Sequence, residues 1–393
     1  MKIVQAVFGV FHHFELAREL ERRGHLEVIY STFPWRRLQR EGIPHAKVQT
    51  FPWLHTTEFL LQKYHLGGRW LLDNLGYTNA LAFDEWTLRR VPSCDAFIAI
   101  SGAGLKTGRE VQRRGGLFLC DRGSSHQRYQ ERIVTDEYQR WGVDLPVSDE
   151  RDTVREEEIY EVADLITVPS NFAARSFVEM GVPAEKLRLI PYGVRLERFQ
   201  PAEPPSDGDD ATFDVLFAGG VNLRKGIPYL LQAFAKLQHP KKRLRLIGGM
   251  GPEMASILSK LPQENVEILG SLPQPQLATW MQRSHVLVLP SIEDGFGMVM
   301  GQAMACGCPV IASTNTGAEN LYTDGVEGFI VPIRDPDALA LRLQQMADDR
   351  DLQRRMREAS LEKVKSLGGW NDYGEQWEKL LLKETGKASS SAS

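Results

Sequence analysis

The 393-residue chain has only four cysteines, Cys94, Cys120, Cys306 and Cys308. They form no CxxC pair, and Cys306 and Cys308 are too close together to bridge each other. A disulfide framework is therefore excluded, and reduced thiols in a cytosolic protein are expected. No apolar run approaches the roughly 20 residues of a membrane-spanning helix. Formal net charge is -4 with no long basic block, which argues against a nucleic-acid partner. The opening MKIVQAVFGVFHHF carries one lysine, then a mixed apolar run broken by Gly9 and two histidines. It reads as a buried first strand, not a signal peptide. The glycine pattern GxGxxG is missing as well. The first strand ends in the lone Gly9, and GGMGPEM (248–254) lacks the third glycine, which disfavours a dinucleotide-dependent oxidoreductase.

What is there is ordinary in bulk and informative in order. Hydrophobic residues make up 42% and charged residues 25%, as in a globular chain long enough for two cores. Strand and helix patterns alternate nearly throughout, the mark of parallel α/β architecture. Strands are expected at 2–8, 26–30, 95–101, 116–126, 164–170 and 187–193, with a helix from about Phe14 to Arg23 ended by Gly24. Residues 33–90 are less regular, with aromatic residues and Arg36, Arg37, Arg40 and Arg69 interleaved. That stretch reads as core and helix packing, or as an acceptor groove or membrane-facing surface. QPAEPPSDGDDATF (200–213) is rich in Pro, Asp and Gly and reads as a linker. The βα pattern then restarts at 213–220 and continues through 243–249, 266–270, 285–291, 309–313 and 329–333. Helical segments at 336–349, 351–367 and 370–383 close the chain before a small polar tail. The domains expected are 1–199, a linker at 200–212, 213–369, a helix at about 370–385 and a tail at 386–393.

The most informative segment is PSIEDGFGMVMGQAMACGCPVIAS (290–313). A strand leads into the acidic pair Glu293-Asp294. Gly295-Phe296-Gly297 then lets the backbone turn tightly beside a ligand. A helix begins near Met298, its free N–H groups facing the turn, and such a helix start is a natural anion site. The segment resembles the donor-binding signature of the family 4 glycosyltransferases, which have the GT-B fold. ARELERRGH (17–25), LRLIPYGVRLERFQP (187–201), LRKGIPYLLQAF (223–234) and NTGAENLYTDGVEGFIVP (315–332) resemble family segments in family order.

The resemblance implies an α/β GT-B architecture, two Rossmann-like domains facing each other across a cleft. It implies a retaining transferase that moves a sugar from a nucleotide-diphosphate sugar, UDP- or GDP-linked, to a hydroxyl acceptor in glycan, cell-surface polysaccharide or glycolipid synthesis. No cofactor and no obligatory metal are expected, and no convincing Asp-x-Asp motif is present. Acceptors range over glycans, lipid-linked sugars and small molecules. The location expected is cytoplasmic, with peripheral contact at the inner membrane face through the first domain. Aligned on GFG, the family's first acid falls at Asp294, with Glu293 adjacent, and its second at Gln302. The family's arginine before the Lys-Gly pair falls at Gly220, leaving Arg224 and Lys225 to supply charge to the diphosphate. Its glycine-rich first loop is reduced to Gly9. Catalytic candidates are His126, Asp294 and Glu293. Donor-binding candidates are Gly9, Arg224, Lys225, Gly295, Phe296, Gly297, Met298, Val299, Gln302 and Glu319.

Each candidate has a bland alternative. GFG is also an ordinary βα turn, Arg224 and Lys225 also a solvated helix entrance, and His126 also a loop histidine that caps a turn. His12 and His13 fit a substrate loop or a structural role. Gln302 and Gly220 keep open a catalytically weakened nucleotide-sugar-binding protein that acts as a partner or scaffold. An epimerase or phosphorylase of the same fold is disfavoured, since no lysine-bound cofactor motif is recognisable.

Overall fold

The computed structural model describes residues 1–64, 66, 68–144, 149–203 and 212–387. The expected linker lies mostly outside these residues, as does nearly all of the tail. The first sheet has seven parallel strands: β1 (Ile3–Val7), β2 (Leu26–Ser31), β3 (Val48–Thr50), β4 (Ala96–Ile100), β5 (Leu117–Asp121), β6 (Leu165–Val168) and β7 (Leu187–Leu189). Their order is β3-β2-β1-β4-β5-β6-β7. The second has six parallel strands: β8 (Phe213–Ala218), β9 (Lys242–Ile247), β10 (Val266–Gly270), β11 (Val286–Leu289), β12 (Val310–Ser313) and β13 (Gly328–Val331). These run in the order β10-β9-β8-β11-β12-β13. Helices cover both faces, so central strands such as Ile3–Val7 and Val286–Leu289 are buried at every position. That is why they read as continuous apolar runs.

Both sheets reverse their winding in the middle, between β1 and β4 and between β8 and β11. Loops leaving the strands' carboxyl ends splay apart at such a point and open a crevice. The loops after β1, β5, β8 and β11 all reach the crevice described below. Gly24, at φ 72, adopts the left-handed conformation that ends the helix His13–Arg22.

Residues 33–90 are more regular than their pattern suggests. They hold the edge strand β3 and the helices Trp53–Lys63 and Arg69–Leu88. A three-residue strand is too short to show alternation. The two helices expose apolar side chains as well as burying them, which blurs the helical period.

The last helix, Trp370–Glu384, packs on the helix His13–Arg22. Trp377 and Tyr373 are buried, and Glu378 takes His25 Nε2 at 2.7 Å and Arg23 Nε at 3.2 Å. The final element thus rests on the first domain after the chain has built the second.

Candidate active site

A cleft of about 710 Å³ opens between the two sheets. Its floor on the second domain is the turn after β11. Gly297, at φ 73, is the left-handed residue that starts the helix Met298–Ala305. A Cβ there would lie 2.7 Å from the Leu289 side chain on the sheet and 2.9 Å from Met300, so packing as well as φ requires glycine. Phe296 is buried, its ring edge-on to Tyr192 at 5.4 Å.

Two ion pairs fix the acids of this turn. Lys225 Nζ donates to Asp294 Oδ2, and Gly297 N–H donates to Asp294 Oδ1 at 3.1 Å. Burial pushes the Asp294 carboxyl up, but Lys225 outweighs it and the net shift is downward. Arg224 Nη1 donates to Glu293 Oε2 at 2.9 Å. Glu293 is fully buried, and its other partners come from the first domain: Ser124 Oγ and Ser125 Oγ at 2.8 Å and Gln130 Nε2 at 3.0 Å. Burial alone raises its pKa, but Arg224 and the serines reverse the sign. Ser170 Oγ adds a bond to the Gly295 carbonyl at 2.5 Å. The GFG turn is therefore clamped to the first domain.

The opposite wall holds a histidine–carboxylate pair. His12 Nε2 lies 2.7 Å from Asp121 Oδ2, and Thr167 Oγ1 donates to Asp121 Oδ1 at 2.8 Å. Tyr192 Oη is 3.3 Å from the same His12 nitrogen, and the rings lie 4.5 Å apart. His13 Nδ1 sits 3.4 Å from Asp121 Oδ2, fully buried, and burial holds its pKa down to about 3. The His12–Asp121 separation is that of a charge-assisted hydrogen bond. His12, Tyr192, Lys225 and Asp294 all line the one cleft.

Residues 200–363 match the family model described as glycosyl transferases group 1. The second domain is thus similar to the group 1 glycosyl transferases. Among curated relatives, D-inositol 3-phosphate glycosyltransferase of Thermobispora bispora is 32% identical over 216 residues, 50% of this chain and 50% of that protein. The protein of that name from Kribbella flavida is 30% identical over 234 residues, 54% and 55% of the two chains. The chain thus spans about half the length of the curated relatives it matches. In structure it is similar to sucrose-phosphate synthase from Thermosynechococcus elongatus, at TM-score 0.71 and 21% identity over 99% of this chain and 100% of that one. It is also similar to Anabaena HepE, solved in complex with UDP and glucose, at TM-score 0.69 and 18% identity over 98% and 100%. Its fold is that of the GT-B glycosyltransferases, two parallel-sheet α/β domains with a cleft between them.

Within this glycosyl transferase fold, the expected site residues divide. Lys225, Asp294, Phe296, Gly297, Met298 and Val299 line the cleft, and Gly295 shapes the turn beside it. Gln302 lines an adjoining lobe of about 1090 Å³ that shares Glu15, Met298 and Trp370 with the cleft. Four other candidates hold partners of their own in this structure. Glu293 is a buried tie between domains, its carboxylate occupied on both sides, and it does not face the cleft. Arg224 is the cation of that tie. Gly9 spends its N–H on Thr32 Oγ1 at 3.0 Å and its carbonyl on Ser31 Oγ at 2.6 Å, which holds the first turn closed. Glu319 pairs with Arg175 at 2.6 Å on the surface where the domains meet.

His126 is not among the residues that line the cleft. It caps the helix Gln127–Arg140, its Nδ1 accepting from Arg128 N–H at 3.2 Å, and its ring packs on Tyr160 and Phe177 at 4.9 and 5.0 Å. Burial holds its pKa down to about 4. The polar side chains that reach this wall of the cleft include His12, which stood open between two roles, and Arg122, Ser124 and Tyr192, which were not singled out. The CDRGSSH segment was the right place, but its backbone turns His126 inward and leaves Gly123 and Ser124 facing the cleft.

Proposed function

We propose that the chain transfers a sugar from a UDP- or GDP-linked donor to a hydroxyl acceptor, with retention of anomeric configuration as the family resemblance implies. The observation that carries this reading is the Lys225–Asp294 pair at the start of the helix Met298–Ala305. It puts a fixed cation, a fixed carboxylate and free helix N–H groups in one cleft. Cleavage at the anomeric carbon leaves negative charge on the diphosphate, which Lys225 and the helix start are placed to stabilise. Asp294 has acceptor capacity left after its two bonds and suits a hydroxyl of the transferred sugar. No obligatory metal enters this reading.

A panel of UDP, GDP and their sugars, read by thermal shift, tests it, because a ligand bound only by the native state raises stability by mass action. One nucleotide family is expected to shift the transition. Lys225→Ala is expected to abolish that shift and to lower turnover by about 10²–10³. Slow hydrolysis of the donor without an acceptor separates a transferase from a binding protein that has lost turnover, since the latter releases no free sugar.

A second observation bears on the acceptor. Trp53 and Trp70 are 73% and 77% exposed, and Phe59, Leu60, Tyr64 and Leu66 are exposed beside them. Arg36, Arg37 and Arg40 lie exposed next to this surface, where Arg37 stacks 4.2 Å over Phe33 and Phe33 meets His55. No helix among the described residues is long and apolar enough to cross a membrane. Exposed indoles beside arginines suit the headgroup layer of an anionic bilayer, which favours a lipid-borne acceptor. Co-sedimentation with phosphatidylglycerol vesicles, but not with phosphatidylcholine alone, is the expected result. Trp53→Ser with Trp70→Ser is expected to release the protein.

A further inference from the structure

The first-domain wall of the cleft carries a paired histidine that neither the donor signature nor the comparisons assign. Sugar transfer to a hydroxyl must dispose of that hydroxyl's proton. The acids of the turn after β11, Glu293 and Asp294, are paired with cations that lower their proton affinity, which makes each a weak base.

His12 has the arrangement the task needs. Asp121 occupies Nε2, so that nitrogen carries the proton of the neutral ring and Nδ1 keeps its lone pair. Asp121 cannot swing away, because Thr167 holds its other oxygen and the residue is buried. Burial raises the Asp121 carboxyl, but His12 and the Thr167 hydroxyl at its two oxygens turn the net shift downward. His12 Nδ1 makes no hydrogen bond among the described residues, and the edge that bears it faces Gly123. A Cβ on Gly123 would sit 3.3 Å from His12 Cε1 and 2.6 Å from Tyr192 Oη. Glycine there leaves that edge uncovered.

We propose that His12, oriented by Asp121, is the base that accepts the proton of the attacking acceptor hydroxyl. The hydroxyl O–H bond breaks as its proton passes to Nδ1. The oxygen bonds to the anomeric carbon, and the bond from that carbon to the diphosphate breaks, its electron pair leaving on phosphate. His12 is thus a catalytic residue and Asp121 a positioning residue. This assignment rests on the transferase reading and adds the fate of the proton, which same-face attack would otherwise hand to the leaving phosphate. The charged and titratable groups around His12 are Asp121 from β5, His13 from its own helix and Tyr192 from the loop after β7. Glu15, Arg122, Lys225 and Asp294 also line the cleft.

The test needs no identified acceptor, because water serves as one. Release of UDP from UDP-glucose and of GDP from GDP-mannose is followed from pH 5 to 9 for the parent, His12→Gln, His12→Ala and Asp121→Asn. Nucleotide binding is read in parallel by thermal shift. For the parent, log kcat/KM is expected to fall with unit slope on the acid side. His12→Gln is expected to lose about 10²–10⁴ in kcat, to lose that acid limb and to keep the nucleotide-induced shift. Added imidazole is expected to restore part of the rate to His12→Ala, which a purely structural role would not allow. Asp121→Asn is expected to lower kcat more than it raises KM and to displace the acid limb. A His12→Gln rate within about threefold of the parent, or an unchanged acid limb, overturns the proposal. So does rate loss on chelation with recovery on adding Zn²⁺. If the parent shows neither nucleotide shift nor hydrolysis, the transferase reading itself fails, and the two failures are thereby told apart.

Discussion

At Glu293 one carboxylate answers donors from both halves of the molecule. It is fully buried, so its partners lose water as well and depend on it. Glu293→Ala would orphan Ser124, Ser125 and Gln130 on one side and release Arg224 on the other. The expected cost is roughly 3 kcal/mol, seen as a lower melting temperature and a larger radius of gyration in solution scattering. His126 permits a second test. Its ring stays neutral in the fold down to about pH 4, while an unfolded histidine takes a proton near pH 6.5. Between these values the unfolded chain binds the extra proton, so stability falls as pH falls, by up to about 1.4 kcal/mol per pH unit. Asn keeps a capping oxygen. His126→Asn is therefore expected to flatten that acid slope in urea melts at pH 7, 6 and 5. The depressed carboxylates at Glu293 and Asp294 act lower still. Their stabilisation is complete above the unfolded carboxylate value and is lost as pH falls below it.

At the level of elements, glycines decide whether the loops reach their positions. Gly226 lies at φ 69, one residue after Lys225, and a Cβ there would fall 2.0 Å from the Pro290 carbonyl oxygen. That backbone cannot yield without moving β11 and the acidic turn together. Gly24 has a similar φ of 72 with nothing within 4 Å. Gly24→Ala is expected to cost only the left-handed strain, about 1–2 kcal/mol. Gly226→Ala is expected to cost more than twice that and to abolish the nucleotide-induced shift, and paired denaturant curves check the ratio. The candidate motif was legible here because turn, helix start and strand stand contiguous in 290–313. The helices at 53–63 and 69–88 were not legible, since exposed indoles and leucines break the amphipathic period.

At the scale of the whole molecule, the last helix joins the chain's end to its beginning. Trp377 is buried against the first domain although it follows the second in sequence. Trp377→Ala is expected to cost about 3–5 kcal/mol. Because the helix fastens to the first domain, that domain is expected to unfold earlier in a urea titration, which near-ultraviolet circular dichroism resolves. The Ser170–Gly295 and Arg175–Glu319 contacts also join the domains, so part of the loss is expected at their interface.

Strand runs, glycine stops and one contiguous motif are local, and local patterns suffice to specify two parallel α/β units and the turn that begins the helix at Met298. Which side chains face one another across the cleft is not local. His12 and Asp121 are 109 residues apart, and they meet because β1 and β5 lie in one sheet with only β4 between them. Glu293 and His126 each follow a strand as a site residue would. Packing turned both inward, one to a cluster of hydroxyl and guanidinium donors and the other to two aromatic rings, and no spacing in the chain records that choice.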